Sequence, residues 1–230
     1  MLFAYFGVAT SWTHSKQAFL VQNPNATQCL CACSGASPSA YLFDRRYGPD
    51  AVPISLSHPV EQVSWDDCDR ILPAVGMRVP TEAQWEYGAR GGTTTTWWSG
   101  ASEDTLDDVA NLLDIVGSRA VPQWGQQFCS FSDGFAFIAP VGRFRANSFG
   151  LFDIHGNVWE WCADIYERSY SVPVDRDGLR ASASESPRIR VNRGGAYDTP
   201  AQWVRCARRY ASLPSVRSSA LGVRACRQLR

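Results

Sequence analysis

The chain has 230 residues, of which 45% are hydrophobic, and this composition is typical of a globular protein with one sizeable core. Its 22 Lys and Arg residues balance its 22 Asp and Glu residues, so no net field attracts nucleic acid or anionic lipid. No apolar run approaches the roughly 18 residues of a membrane span, and no basic stretch precedes the apolar residues 1–8. We therefore expect no membrane span and no signal peptide, which favours the cytoplasm.

Residues 1–26 show no regular pattern, and a short helix is predicted over residues 27–34. Neither an interdomain linker nor an internal repeat interrupts the rest of the chain. We therefore expect residues 1–230 to form a single domain with an irregular N-terminal part.

Two helices have clear start and stop signals. The first is predicted after Ser64, which opens a capping-box-like pattern (SWDD), and it should end before Pro73. The second is predicted to begin at Thr81, where Gln84 can reach back to the Thr81 backbone. It should end at Gly91, because glycine readily adopts the left-handed conformation that terminates helices.

After Gly92 the helical periodicity fades, and short aromatic-rich runs such as residues 158–162 indicate brief strands. Residues 171–187 are polar and rich in turn formers, so we expect an exposed excursion there. Trp85, Trp159 and Trp161 are expected in the core. The prediction is an α+β domain with few helices, short strands and much irregular loop.

Eight cysteines leave three interpretations open: a disulfide framework, a metal site and buried free thiols. The three cysteines within residues 29–33 lack the two-residue gaps of a structural zinc site, and no His pair follows them. Buried free thiols are favoured, because free Cys behaves as a small hydrophobe. The eight are Cys29, Cys31, Cys33, Cys68, Cys129, Cys162, Cys206 and Cys226.

The three histidines, His14, His58 and His155, form no recognisable ligand motif. His155 stands beside the Gly156-Asn157 turn, and there a structural role is favoured over catalysis.

Four segments, in this order, resemble the formylglycine-generating-enzyme family. They are residues 58–67 (HPVEQVSWDD), 79–87 (VPTEAQWEY), 139–161 with APVG and FGLFDIHGNVWEW, and 193–197 (RGGAY) answered by GVR at 222–224. The resemblance covers about residues 27–226. It implies a decorated C-type lectin fold, which agrees with the sparse regular structure predicted above.

The catalytic part of that family's pattern is missing. The resemblance places two copper-binding cysteines between the Gly-Gly motif and the following Arg-Cys, and thiolates are the ligands that copper(I) prefers. Residues 198–205 (DTPAQWVR) contain no cysteine. Cys206 and Cys226 lie at or near structural cysteines of the family, but the usual partner positions hold Ala89 and Leu72. We therefore expect no oxidase activity, no bound copper and no family disulfides.

The C-terminal part, residues 193–226, resembles the variable proteins of diversity-generating retroelements, which use the same fold. In these proteins an error-prone reverse transcriptase rewrites the adenines of Asn codons. The positions expected to be Asn in the template hold Arg208, Tyr210, Ala211, Ser212, Leu213, Val216, Ser218, Ser219 and Ala220. Each of these residues has a codon that such rewriting can produce. Trp203 fails this test and is either fixed or varied from another codon.

The resemblance therefore implies a hypervariable ligand-binding surface at these positions and at Trp203. Tyr210, Leu213 and Trp203 supply a large contact area and have few rotatable side-chain bonds, so binding costs them little conformational entropy. The small Ser and Ala residues can adapt to different ligands. Arg209, Pro214, Arg217 and Gly222 are expected to hold the segment as a scaffold. The alternative is a plain surface loop without a partner.

The resemblance also implies two calcium sites built from carboxylate, amide and backbone oxygens, the ligands that a hard cation requires. The first set is Asn111, the Leu112 carbonyl, Asp133 and the Phe135 carbonyl. The second set is Asp153, the carbonyls of Gly156 and Val158, and Glu160. As alternatives, Asp153 hydrogen-bonds the backbone of its own turn and Glu160 pairs with an arginine.

The function predicted from the sequence is non-catalytic binding of an unknown protein or cell-surface ligand through the variable residues. The alternative is a formylglycine-generating-enzyme-like oxidase that acts on cysteine or thiol substrates with different metal ligands.

Overall fold

The computed structural model describes residues 38–47, 53–124, 128–170, 175, 178–180 and 189–228, and the backbone of 18–20. The predicted helix at 27–34 and the cysteines within 29–33 lie outside these residues, as does most of the predicted excursion at 171–187.

Three short α-helices occur in the described part of the chain: α1 (Trp65–Ile71), α2 (Glu82–Arg90) and α3 (Ile115–Ala120). Both predicted capping boxes are confirmed. Ser64 caps α1 and Thr81 caps α2, and in each case the side chain three residues later accepts from the backbone N–H of the capping residue. The sequence did not predict α3, which begins where the Asp114 carboxylate accepts two backbone N–H groups.

The predicted helix ends are also confirmed. Helix α1 ends at Ile71, and Pro73 lies in a 3-10 turn (Leu72–Val75) that continues the chain. Helix α2 ends at Gly91, which has a φ of 54° in the left-handed region.

The central sheet has four strands in the order β6-β5-β4-β7. Strand β5 is antiparallel to both β4 and β6, and β7 is parallel to β4. Two smaller pairs complete the described strands: β1 with β8, antiparallel, and β2 with β3, parallel. The strands are β1 (Ala18–Leu20), β2 (Ala110–Asn111), β3 (His155–Gly156), β4 (Trp159–Ile165), β5 (Arg190–Arg193), β6 (Tyr210–Ser212), β7 (Leu221–Gly222) and β8 (Cys226–Gln228).

Two hydrophobic clusters lie on opposite faces of strand β4, because successive side chains of a strand alternate between its faces. One cluster contains Cys162 and Trp85, and the other contains Trp159 and Trp161. All three tryptophans expected in the core are buried. The α+β fold with few helices and short strands is therefore as predicted.

No helix in the described part of the chain has both the length and the apolar character of a membrane span.

Candidate ligand-binding surface

A buried arginine fixes the chain immediately before β6. The Arg193 side chain is fully buried and forms ion pairs with Glu82, at 3.6 Å, and with Glu86. Its guanidinium also donates to the backbone carbonyls of Cys206 and Arg208, each at 2.8 Å. Because a buried cation needs both charge compensation and hydrogen-bond acceptors, this arrangement ties the segment 206–208 to helix α2.

Arg209 adds a second tie to the same helix. Its guanidinium makes a bidentate contact with Glu82, at 2.6 and 2.8 Å, and donates to the Glu167 carbonyl at 2.7 Å. It also stacks on the rings of Tyr166 and Tyr170. The expectation that Arg209 acts as a scaffold residue is confirmed by these contacts.

A third anchor joins the next loop to the start of α1. Arg217 forms an ion pair with Asp67 at 2.6 Å and donates to the Gln62 carbonyl. The Pro214 carbonyl accepts from the Asp66 N–H, at 3.4 Å. Residues 214–217 therefore lie along the N-terminal end of α1, as expected of scaffold positions.

Gly222 closes the segment where two backbones approach closely. It pairs with Glu160 in the sheet, and a Cβ at this position would collide with the Val60 carbonyl oxygen. No residue with a side chain fits here, so glycine is required by the packing.

The predicted variable positions are less exposed than we expected. Tyr210 and Leu213 are 49% and 48% exposed, whereas seven others are half-buried because the segment lies flat against the sheet and α1. The expectation of exposure is wrong for Ala220, which is 8% exposed and belongs to the core beside β7. The half-buried positions are Trp203, Arg208, Ala211, Ser212, Val216, Ser218 and Ser219.

Two aromatic stacks shape this surface. The Tyr210 ring lies over Trp159, with centroids 5.4 Å apart and planes inclined by 34°. The Arg208 guanidinium lies 3.8 Å from the centre of the Trp203 ring. Trp159, which sequence reasoning assigned only to the core, therefore also supports the exposed Tyr210.

The segment 38–47 contacts the predicted variable segment through Tyr41 and Tyr197. The sequence did not indicate this contact. Glu61 is buried and accepts from the backbone N–H groups of Ala40 and Tyr41. The Tyr41 hydroxyl donates to the Tyr197 hydroxyl at 2.7 Å, and Tyr197 lies 3.3 Å from the Ser219 hydroxyl. Burial first, and then the neighbouring Tyr197, raises the pKa of Tyr41.

The first predicted calcium set has one feature that fits a cation. The Asn111 Oδ1 atom is buried and has no hydrogen-bond partner among the described residues, while its Nδ2 donates to the Phe137 carbonyl. Asp133 accepts from the N–H groups of Leu112 and Phe135. Burial raises the pKa of Asp133 to about 7. The Asn111 side-chain oxygen and the Asp133 carboxylate are thus suitable ligands for a cation. The Leu112 and Phe135 groups at the carboxylate are backbone N–H groups and not the carbonyls of the predicted set.

The second predicted set does not fit a cation. The Arg224 guanidinium donates to both oxygens of Glu160, with distances of 2.7 to 3.0 Å, and Trp85 Nε1 donates to one of them at 2.6 Å. Arginine therefore already compensates this carboxylate, which is the alternative that the sequence left open. Asp153 accepts from the Gly142 N–H at 2.7 Å.

The backbone around the second set belongs to regular structure. Gly156 lies in β3, and Val158 packs in the core immediately before β4.

The thiols and the buried histidine offer no reactive group. The five described cysteines are buried and free, and burial raises the pKa of each thiol. His155 is fully buried, its Nε2 accepts from the Trp98 N–H, and burial lowers its pKa to about 3. These contacts confirm buried free thiols and a structural His155 in the part of the chain that the structure describes. The five thiols are Cys68, Cys129, Cys162, Cys206 and Cys226.

The chain is similar in sequence to one protein family and to enzymes of known activity. Residues 39–229 match the model of the sulfatase-modifying factor enzyme 1-like domain. The formylglycine-generating enzyme of Mus musculus is 35% identical over 184 residues, which are 77% of this chain and 46% of that enzyme. The chain thus spans about half the length of the curated relatives that it matches.

Two solved structures share the fold. Treponema denticola variable protein 1 superposes with a TM-score of 0.66 and 24% identity, covering 88% of this chain and 81% of its own. PvdO from Pseudomonas aeruginosa superposes with a TM-score of 0.65 and 24% identity, covering 88% and 76%. At these identities the likeness concerns the fold alone.

We expect the ion pair of Arg209 with the buried Glu82 to contribute strongly to the free energy of unfolding. In an Arg209→Met variant the buried Glu82 carboxylate loses its bidentate partner, so the free energy of unfolding should fall by on the order of 3 kcal/mol. Urea denaturation followed by circular dichroism measures this change. The matched control is Arg145→Met, which breaks an exposed ion pair with Asp108 and should cost less than about 1 kcal/mol. Equal losses in the two variants would contradict the anchor.

Proposed function

The chain belongs to the sulfatase-modifying factor enzyme 1-like family, and within this family we propose that it is a non-catalytic binding protein with a variable ligand-binding surface. Residues 193–226 carry this surface, and a diversity-generating retroelement supplies its variation. The ligand is a protein or another cell-surface molecule.

One observation carries the proposal: anchored and surface residues alternate along this segment. Arg209, Pro214, Arg217 and Gly222 contact the domain through ion pairs, backbone hydrogen bonds or close packing. Apart from the buried Ala220 and Leu221, the residues between them lie at the surface or are half-buried. Substitutions at such positions usually change stability little, so the segment can vary in sequence while its backbone stays in place.

The chemistry of the surface supports binding. Tyr210 and Leu213 expose large apolar side chains, and Trp159 restrains the Tyr210 ring from below. Ordered aromatic side chains lose little conformational entropy when a ligand binds, which is why they are common in binding surfaces.

The thiol chemistry supports the absence of oxidase activity. Residues 198–205 hold no cysteine. The five described thiols are buried, and none lies in the interval in which the family carries its copper-binding pair. The alternative remains an oxidase that acts on cysteine or thiol substrates through other ligands, in line with the names of the sequence relatives.

We expect the purified chain to leave a peptide cysteine unconverted to formylglycine. The test incubates copper-loaded protein with a cysteine-containing peptide and oxygen and follows the peptide mass. A formylglycine-generating enzyme under the same conditions is the positive control. Catalytic conversion above the protein-free blank would reject the non-catalytic proposal and favour the oxidase.

We expect the variable residues to be replaceable together. A variant with Ser at positions 208, 210, 213 and 216, and with Ser and Ala exchanged at positions 211, 212, 218 and 219, should melt close to the parent; Ala220 is kept. Trp161→Ala should lose about 3–5 kcal/mol, because Trp161 is fully buried. Trp159 is a poorer reference, since it contacts Tyr210. If the multiple variant unfolds as readily as Trp161→Ala, the residues are structural and the variable-surface proposal is wrong.

We also propose that Asn111 and Asp133 bind a calcium ion. The proposal is supported by the buried Asn111 Oδ1, which lacks a partner within the described ranges, and by the carboxylate of Asp133. Amide and carboxylate oxygens are the ligands that calcium prefers, and the ion would brace the turn after β2.

Removal of calcium should lower the melting temperature, because an ion bound only by the folded state stabilises it by mass action. At a concentration of 100 Kd the stabilisation is about 2.7 kcal/mol. Melts with calcium and with excess chelator measure the difference, which should vanish in an Asp133→Asn variant. Identical melts of the parent chain under both conditions would exclude this site.

A further inference from the structure

Three side chains lie in a row across the central sheet beneath the variable surface. In the register of the strands, Trp161 on β4 is opposite Asn192 on β5, and Asn192 is opposite Tyr210 on β6. Side chains of directly opposed residues point to the same face of a sheet. Asn192 therefore lies between a core tryptophan and an exposed variable residue.

The Asn192 amide is buried and lacks a partner. The residue is 1% exposed, and neither Oδ1 nor Nδ2 has a hydrogen-bond partner in the part of the chain that the structure describes. Buried polar groups are nearly always hydrogen-bonded in native proteins, and an exception calls for an explanation.

Tyr210, which is half exposed, lies opposite Asn192 on the same face of the sheet. Trp159 lies two residues before Trp161 on β4, so both side chains share the face that carries Asn192. The Tyr210 ring contacts Trp159, and to do so it reaches across β5, the strand between them. The ring is half exposed and belongs to a position that we propose to be variable.

We infer that Asn192 and Trp159 form a fixed subsite for an amide group of the ligand, and that the residue at position 210 covers or opens it. The inference rests on the proposed function only in taking the variable surface as the binding face. Asn192 offers one acceptor and two donors, which complement a second amide in a pair of hydrogen bonds. The Trp159 face accommodates a flat apolar group beside it.

The subsite gives a role to residues outside the variable set. Asn192 and Trp159 stay constant while position 210 changes. A large aromatic residue there closes the subsite, and a small residue such as serine exposes the indole and the amide. The ligand group is a primary amide next to a planar apolar group, as in a protein segment with an Asn or Gln side chain beside an aromatic residue.

The test uses benzamide as the probe and methyl benzoate as its matched control. Both have the same ring and a carbonyl acceptor, but only benzamide carries N–H donors. In the full chain with Tyr210→Ser, benzamide should bind saturably and at least tenfold more tightly than methyl benzoate. It should also bind at least tenfold more tightly than it does to the parent chain, in which Tyr210 covers the subsite. Titrations followed by the side-chain amide signal of Asn192 in nuclear magnetic resonance spectra give both affinities.

A second measurement does not depend on binding. Asn192→Leu replaces the amide by an apolar group of similar shape, so the melting temperature should be unchanged or higher, because no hydrogen bond is lost. A separate binding test uses the double variant with Tyr210→Ser, followed by the Trp159 indole N–H signal because the Asn192 signal is absent. In that variant benzamide should bind no better than methyl benzoate.

Three results would each overturn the inference. They are the absence of saturable benzamide binding to the Tyr210→Ser chain, equal affinity for the two probes, and a large fall in melting temperature on Asn192→Leu. The last would mean that the amide is satisfied by an internal water molecule. None of these results bears on the multiple replacement of the variable residues, so failure of the subsite and failure of the proposed function are distinguishable.

Discussion

The carboxylate of Glu82 is the point on which the arrangement of the C-terminal segment depends. It lies in the first turn of α2, is almost fully buried, and is shared by Arg193 and Arg209. A buried carboxylate is stable only with charged, well-oriented donors, so the positions of both arginines follow from it. Through Arg193 it fixes the carbonyls that precede β6, and through Arg209 it fixes the entry to the variable surface.

The direction in which the anchoring side chains point explains how the backbone of the segment can be held in place while its surface side chains are free to differ. The long side chain of Arg209 turns inward to the buried Glu82 carboxylate of α2, whereas the half-exposed Arg217 pairs with Asp67 of α1 at the surface. The residues between them contribute little to that attachment, and Tyr210 and Leu213 project outward. The attachment of the segment thus depends mainly on the buried Arg209–Glu82 pair, and the proposed recognition is assigned to the outward side chains.

Sequence reasoning located the features that depend on short-range signals. The capping boxes at Ser64 and Thr81 involve residues three apart, so the pattern is visible in any short window. The sequence left open that Glu160 pairs with an arginine, but it did not indicate that the partner is Arg224 or that Asn192 lies beside Tyr210. These contacts join distant segments and depend on strand register. The scaffold positions followed from the family resemblance, but the degree of burial between them did not.

The order of the strands along the chain has a consequence for biosynthesis. The two edges of the central sheet, β6 and β7, both come from the proposed variable segment and follow β4 and β5 in the chain. A nascent chain therefore presents the β4-β5 pair with both flanks open until this segment is made, and unpaired strand edges invite aggregation and degradation. If the segment varies as proposed, each new sequence must complete the sheet to avoid these outcomes. Cellular quality control would then remove variants that fail to close the two flanks.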